Sequence, residues 1–235
     1  MFSPFKWTLI WRDVLDLFYP NLCSLCGVQL VGNEEVICTK CRTNLPRTQS
    51  HQRVIPALDE KFAGKVLVRN VYAFLKFEKG GGVQRMLHQL KYENRPEVGN
   101  VLGQLYGFEL MQAGVNHSFD WVIPIPLHSR KLAQRGYNQS DQFAAGLSEG
   151  LGVPWSDEIL KRERFTATQT RKSRIERFEN VSGIFQVVQP DKIIGQRIAL
   201  VDDIVTTGST LESAITELLQ NGAKEVSVIT IAAAY

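Results

Sequence analysis

Residues 198–210 read IALVDDIVTTGST. Ile198, Ala199, Leu200 and Val201 have no polar face, the pattern of a strand covered on both sides in a parallel sheet. Asp202 and Asp203 follow at the predicted carboxyl end of that strand, where open α/β sheets bind ligands. Thr206, Thr207, Gly208, Ser209 and Thr210 then lead into Leu211, Ala214, Ile215, Leu218 and Leu219, which recur at helical spacing. Free backbone N–H groups and the dipole at that helix start suit a phosphate. Gly208 lets the backbone close around it, and the hydroxyls add donors. Two carboxylates would repel a phosphate, so their partners are vicinal sugar hydroxyls, because an ionised carboxylate only accepts. An ordinary N-capped helix after a core strand needs one Ser or Thr, not an acidic pair and a run of hydroxyls. No Gly-Lys-Ser/Thr follows, which excludes a P-loop.

The whole string resembles the phosphoribosyl pyrophosphate (PRPP) signature of type I phosphoribosyltransferases. Outward from it, the chain alternates strands and helices. Strands are expected at 68–77, 121–125, 158–161, 183–188, 197–201 and 225–231, and helices at 83–90, 96–113, 137–151 and 209–221. In the 96–113 helix, Val98, Val101, Leu102, Leu105, Phe108 and Met111 fall mostly on one broad apolar face. This alternation predicts a parallel α/β sheet with helices on both sides.

Two further segments belong with the acidic pair. Residues 120–139 read DWVIPIPLHSRKLAQRGYNQ. Pro124 and Pro126 cannot donate to a sheet ladder, so the chain leaves the strand stiffly. His128, Ser129, Arg130, Lys131 and Arg135 follow, a basic loop suited to a pyrophosphate; alone it could be a solvated turn. Residues 161–177, KRERFTATQTRKSRIER, carry seven Lys/Arg against two Glu and few apolar side chains. They read as a mobile hood that brings cations over a ligand. A surface for nucleic-acid backbone, flanked by Phe165 and Phe178, and a solvated charged helix are the rival readings.

All four cysteines lie in two pairs, Cys23/Cys26 and Cys38/Cys41, with eleven residues between the pairs. Two CxxC knuckles fit a closed Zn–thiolate site. Disulfides, an iron–sulfur cluster and a redox CxxC are the alternatives; the first fits a cytosolic chain badly, and the last lacks its βαβ context. A four-thiolate zinc would be structural, because it leaves no position for water. The polar stretch 46–56 after it, with His51 exposed, reads as a link between modules.

With 44% apolar residues the 235-residue chain can bury a sizeable core, and a net charge of +3 gives no polyelectrolyte role. No apolar run approaches a membrane span. Residues 1–19 are interrupted by Arg12, Asp13 and Asp16, unlike a secretory signal. Trp7, Ile10, Trp11, Val14, Leu15 and Phe18 instead fall on one helical face, to be docked on a core or laid on a membrane. The expected organisation is an amphipathic helix at 1–19, a four-cysteine zinc module at 20–50 and an α/β domain at 60–235, in a cytoplasmic protein.

CxxC…CxxC, PIPLHSRKLAQRGYNQ, TATQTRKSRIERFENVSGIF and VDDIVTTGST occur in that order, and 87–92 read LHQLKY. Together they resemble the ComF family over about residues 18–235. The resemblance implies a zinc knuckle fused to a type I phosphoribosyltransferase-like domain, and a role in natural transformation through single-stranded DNA uptake. It implies that Asp202 and Asp203 hold ribose hydroxyls and Thr206, Thr207, Gly208, Ser209 and Thr210 the 5-phosphate. His128, Ser129, Arg130 and Arg135 would face pyrophosphate through Mg²⁺, with Arg164, Gln169, Arg171, Lys172, Arg174 and Arg177 in the hood. The chemistry implied is displacement of pyrophosphate at the anomeric carbon, with Asp202, Asp203, Arg130 and Arg177 as catalytic candidates and an unnamed acceptor. A non-catalytic single-stranded-DNA-binding factor and a PRPP-sensing regulator remain open beside it. Implied partners are PRPP, single-stranded DNA and competence-machinery proteins such as a helicase or DNA-loading factor, at the inner face of the membrane, with a homodimer left open.

Overall fold

The computed structural model describes residues 20–162 and 184–234. The chain divides between Leu45 and Pro46 into two compact units. The smaller holds one short helix, α1 (Thr39–Thr43), and an antiparallel bridge between Leu22 and Gln29. Among its described residues the buried apolar side chains are the thiols of Cys23, Cys38 and Cys41 with Leu30, Val36, Ile37 and Leu45. The Glu34 carboxylate accepts from the N–H and hydroxyl of Thr39 at 2.6 and 2.7 Å, which fixes the entry to α1.

The larger unit runs α2 (Pro56–Asp59), β1 (Val71–Lys76), α3 (Gly82–Tyr92), α4 (Pro96–Gln112), β2 (Trp121–Pro124), α5 (Ser129–Arg135), α6 (Gln139–Leu151), β3 (Leu160–Arg162), β4 (Phe185–Val187), β5 (Arg197–Val205), α7 (Ser209–Gln220) and β6 (Glu225–Ala233). Four strands form one parallel sheet in the order β1-β6-β5-β2. Ile198 and Leu200 join Leu211, Ala214, Ile215 and Leu218 of α7 in one core. α6 packs on β2 and β5 through buried Phe143, Ala144 and Leu147, so β5 is covered on both faces, as its unbroken apolar run requires. β3 and β4 stand apart as an antiparallel pair on either side of residues 163–183.

Three sequence expectations change. β5 does not stop at Val201; it continues to Val205, with Asp202 opposite Thr230 and Val205 opposite Ala233. The long apolar β6 supplies the partner that extends it, so the acidic pair lies inside a ladder. The 46–56 stretch is not a free link at its start: Thr48 N–H donates to Phe74 O at 2.9 Å and Lys76 N–H to Pro46 O at 2.8 Å. The buried Ser50 hydroxyl donates to Ala73 O (3.1 Å) and accepts from Ala73 N–H (2.9 Å), so polar side chains satisfy the open edge of β1. His51 is not solvent-exposed; its Nδ1 is buried and its ring meets Tyr106 edge-on at 5.9 Å.

The buried face of α4 also differs from the expected one. It carries Val98, Gly99, Leu102, Gly103, Tyr106, Gly107 and Leu110, and leaves Phe108 exposed. Glycines set this face because α4 and α6 touch backbone to backbone. A methyl at Gly103 would lie 2.7 Å from Leu147 N, and one at Gly150 would lie 2.7 Å from Gln104 O. An apolar-residue count misses a contact surface made by absent side chains.

Candidate active site

Successive side chains on a strand leave on opposite sides, and the two aspartates accordingly find different surroundings. Asp203 is buried. Its carboxylate lies 3.0 Å from the Lys91 ammonium on α3 and accepts from Gln139 Nε2 on α6 at 2.8 Å. Asp202 Oδ1 accepts from the Ser140 hydroxyl at 3.1 Å and from Asp203 N–H at 2.8 Å. Its Oδ2 has no partner among the described residues. Burial, and then the negative charge of Asp203, push the Asp202 carboxyl up to about 7; its hydrogen bonds and Lys91 oppose this. The pair is therefore one carboxylate held by one ammonium and one amide beside one whose second oxygen has no partner among the described residues.

Asp202 lines a cavity of about 50 Å³ together with Thr206, Thr207, Gly208, Ser209 and Thr210. Gly208 turns at φ +82°, and α7 begins at Ser209 with no side chain capping its first N–H groups. The loop thus presents an uncapped helix start beside exposed hydroxyls, a geometry suited to an anion. The loop is braced from behind. The Phe62 ring comes within 3.1 Å of where a Gly208 Cβ would stand, and Lys61 Nζ donates to Thr206 O at 2.7 Å.

The basic loop lies at the end of β2. His128 is the N-cap of α5, its Nδ1 accepting from Arg130 N–H at 3.2 Å. That ring is engaged with its own helix. α5 buries none of its residues, and the exposed Arg130 side chain has no partner among the described residues. Gly136 closes α5 at φ +84°, and Asn138 opens α6 by accepting from Ser140 N–H. This places Gln139 and Ser140 on the two aspartates. The Arg135 guanidinium donates to Gln139 Oε1, so it reaches Asp203 through one amide.

Sequence reading missed Lys91, Gln139, Ser140, Arg162 and the Lys61–Phe62 brace. LHQLKY and GYNQ marked Lys91 and Gln139 as unusual, but nothing local ties Lys91 to a residue 112 positions later. Arg162 ends β3 and stands in the field of Asp202, its guanidinium 5.5 Å from the Phe185 ring. Arg164, Gln169, Arg171, Lys172, Arg174 and Arg177 of the expected hood lie outside the described residues, as does the helix expected at 1–19.

In the smaller unit the Sγ atoms of Cys23, Cys26, Cys38 and Cys41 all lie within 4.8 Å of one another, and no disulfide joins them. A tetrahedron with Zn–S bonds of about 2.3 Å has S···S edges of about 3.8 Å; Cys26 Sγ and Cys38 Sγ are 3.8 Å apart. Backbone N–H groups of Cys38 and Cys41 point at Cys23 Sγ and Cys38 Sγ at 3.3 and 3.4 Å, stabilising thiolates. The donor set fits a structural zinc. Sequence comparison agrees: residues 14–52 match the double zinc ribbon domain and residues 138–234 the phosphoribosyl transferase domain.

DNA utilization protein YhgH of Escherichia coli K12 is 32% identical over 220 residues, covering 92% of each chain. Competence protein F of Haemophilus influenzae is 32% identical over 63% of this chain and 67% of its own. Competence protein ComFC of Streptococcus pneumoniae is 33% identical over 46% of each. The chain belongs to the ComF family. This ComF protein carries the type I phosphoribosyltransferase fold and the zinc ribbon in one chain. Among its described residues no helix is long and apolar enough to cross a membrane.

Proposed function

We propose that this ComF protein binds PRPP with Mg²⁺ at the end of β5 and displaces its pyrophosphate. The observation that carries the reading is that Asp202 lines one cavity with the uncapped start of α7. Thr206, Thr207, Gly208, Ser209 and Thr210 take the 5-phosphate, and Asp202 accepts from a ribose hydroxyl. Asp203, saturated by Lys91 and Gln139, shapes the other side of the sugar site and sets the charge on Asp202. His128, Ser129, Arg130 and Arg135 form the pyrophosphate side. Mg²⁺ would neutralise phosphate oxygens there. Arg162 and the hood residues Arg164, Gln169, Arg171, Lys172, Arg174 and Arg177 complete the positive cover. Catalysis by such a site is electrostatic: cations stabilise the leaving pyrophosphate while carboxylates face the sugar's developing positive charge. The names of the relatives, DNA utilization and competence, favour a role beside single-stranded DNA.

Calorimetric titration of PRPP with Mg²⁺ tests the reading. Wild type is expected to bind and Asp202→Asn/Asp203→Asn to show no measurable binding while keeping its circular dichroism. Equal affinity in both would remove the site from β5. No binding to wild type would leave the fold as a scaffold and make DNA binding the leading function.

A further inference from the structure

On the Asp203 side of β5, away from the phosphate loop, lies a second cavity of about 400 Å³. Lys91, Tyr92, Asn94, Lys131, Gln134 and Arg135 line it, from the end of α3 and from α5. We propose that this cavity is a nucleotide-binding site, with the phosphate on Lys131 and Arg135 and the base at Tyr92.

Three cations and no carboxylate line it, so its ligand is an anion. The nearby acids are already held: Glu93 by His88 at 3.0 Å and Glu97 by Arg95. Among the described residues the side chains of Lys131 and Gln134 have no partner and stand exposed. Inorganic phosphate would use the cations alone. Tyr92, however, is 69% exposed, an unusual setting for an aromatic on a helix whose apolar face is otherwise buried. The Arg135 guanidinium lies 5.6 Å from its ring centroid and the His88 ring 5.0 Å away. An exposed aromatic ring beside a guanidinium is what a nucleobase stacks on. The amides of Asn94 and Gln134 offer both donors and acceptors to a base edge. Lys91 belongs to the cavity and to the Asp203 ion pair at once, so a nucleotide there lies beside the sugar site without sharing the phosphate loop.

The site shares Arg135 with the proposed pyrophosphate side but not the phosphate loop, and it is tested without PRPP. The probes are AMP and a fluorescein-labelled oligothymidylate, followed by calorimetry and anisotropy on wild type, Tyr92→Leu and Lys131→Ala. Tyr92→Leu is expected to weaken binding at least fivefold. Lys131→Ala should weaken it too and flatten its salt dependence. If both probes bind and both respond, the occupant is any nucleotide; if only the oligonucleotide does, it is a nucleotide within a strand. No binding of either probe, or unchanged affinity in Tyr92→Leu, overturns the proposal. Loss in Lys131→Ala alone would make the cavity a plain anion site and equally overturn it. PRPP affinity is measured separately on the same proteins. Nucleotide binding without PRPP binding would remove only the assignment at β5, and the converse only the one made for this cavity.

Discussion

The cysteine unit and the α/β unit solve the same problem with different means. The apolar side chains that residues 20–45 bury beside their thiols are Leu30, Val36, Ile37 and Leu45, far too little apolar surface to order a segment of that size unaided. Their four sulfurs turn inward on one another, and that closed shell is the fold. The α/β unit has a core spanning both faces of β5 and needs no such staple. Among the described residues it can therefore leave polar groups without partners: Asp202 Oδ2, the first N–H groups of α7, and the Arg130 and Lys131 side chains. Inward-turned ligands make a structural centre, while a self-sufficient core can hold polar groups open toward a ligand.

Removing the metal is the most drastic way to break this comparison. Zinc-ribbon folding is coupled to metal binding, so chelation, or Cys38→Ser, is expected to unfold residues 20–45 entirely and leave the sheet unit's thermal transition in place. Limited proteolysis followed by mass spectrometry reads this directly, with cuts appearing inside 20–45 alone. A metal-free protein with that segment still protected would show that its small apolar core suffices after all.

A smaller but still large effect belongs to the other unit. Gly146→Ala would drive a methyl into Asn100 O, because α6 has no room to retreat from α4. Overpacking of this kind, with backbone on the receiving side, costs about 3 kcal/mol or more. Gly114→Ala meets no atom within 4 Å and carries only the strain of its φ of +71°, about 1–2 kcal/mol. Urea denaturation of the two variants should therefore rank them clearly. Equal losses would mean that the helices slide apart and that backbone contact is not what holds them.

The same contrast explains what could be read from the chain in advance. The cysteine pairs, the β5 run and the helix start after Gly208 are local patterns whose meaning lies in spacing, and each is legible. The α4–α6 interface was not, because glycines at 99, 103, 107, 146 and 150 carry no hydrophobic signal. Nor was the division of labour between Asp202 and Asp203, which depends on Lys91 from another helix. Periodicity also ended β5 at its first acid, although pairing with β6 carries the strand four residues further. Thr48 and Ser50 looked like linker because hydroxyls usually face water; here they satisfy the edge of β1.

The smallest effect concerns protons and gives the two units opposite signs. Asp202 sits at about 7 in the folded protein against about 3.9 in an unfolded chain. Between those values the folded state keeps a proton that the unfolded state has lost. The stability of the sheet unit is thus highest below the window and declines as pH rises through it, then levels off. Asp141, also raised to about 7 by burial and by the charge of Asp157, acts in the same direction. Asp120, held down to about 2 by Arg197, acts oppositely and only in stronger acid. The comparison that isolates Asp202 is Asp202→Asn, which keeps the Oδ1 acceptor for Ser140 and removes the titration. From pH 4 to pH 8 the variant is expected to gain on wild type by about 1–3 kcal/mol in urea denaturation. The zinc unit runs the other way, since acid protonates thiolates and releases the metal. A stability difference that stays flat across the window would mean that Asp202 is already ionised in the free protein, with Lys91 serving both carboxylates rather than Asp203 alone.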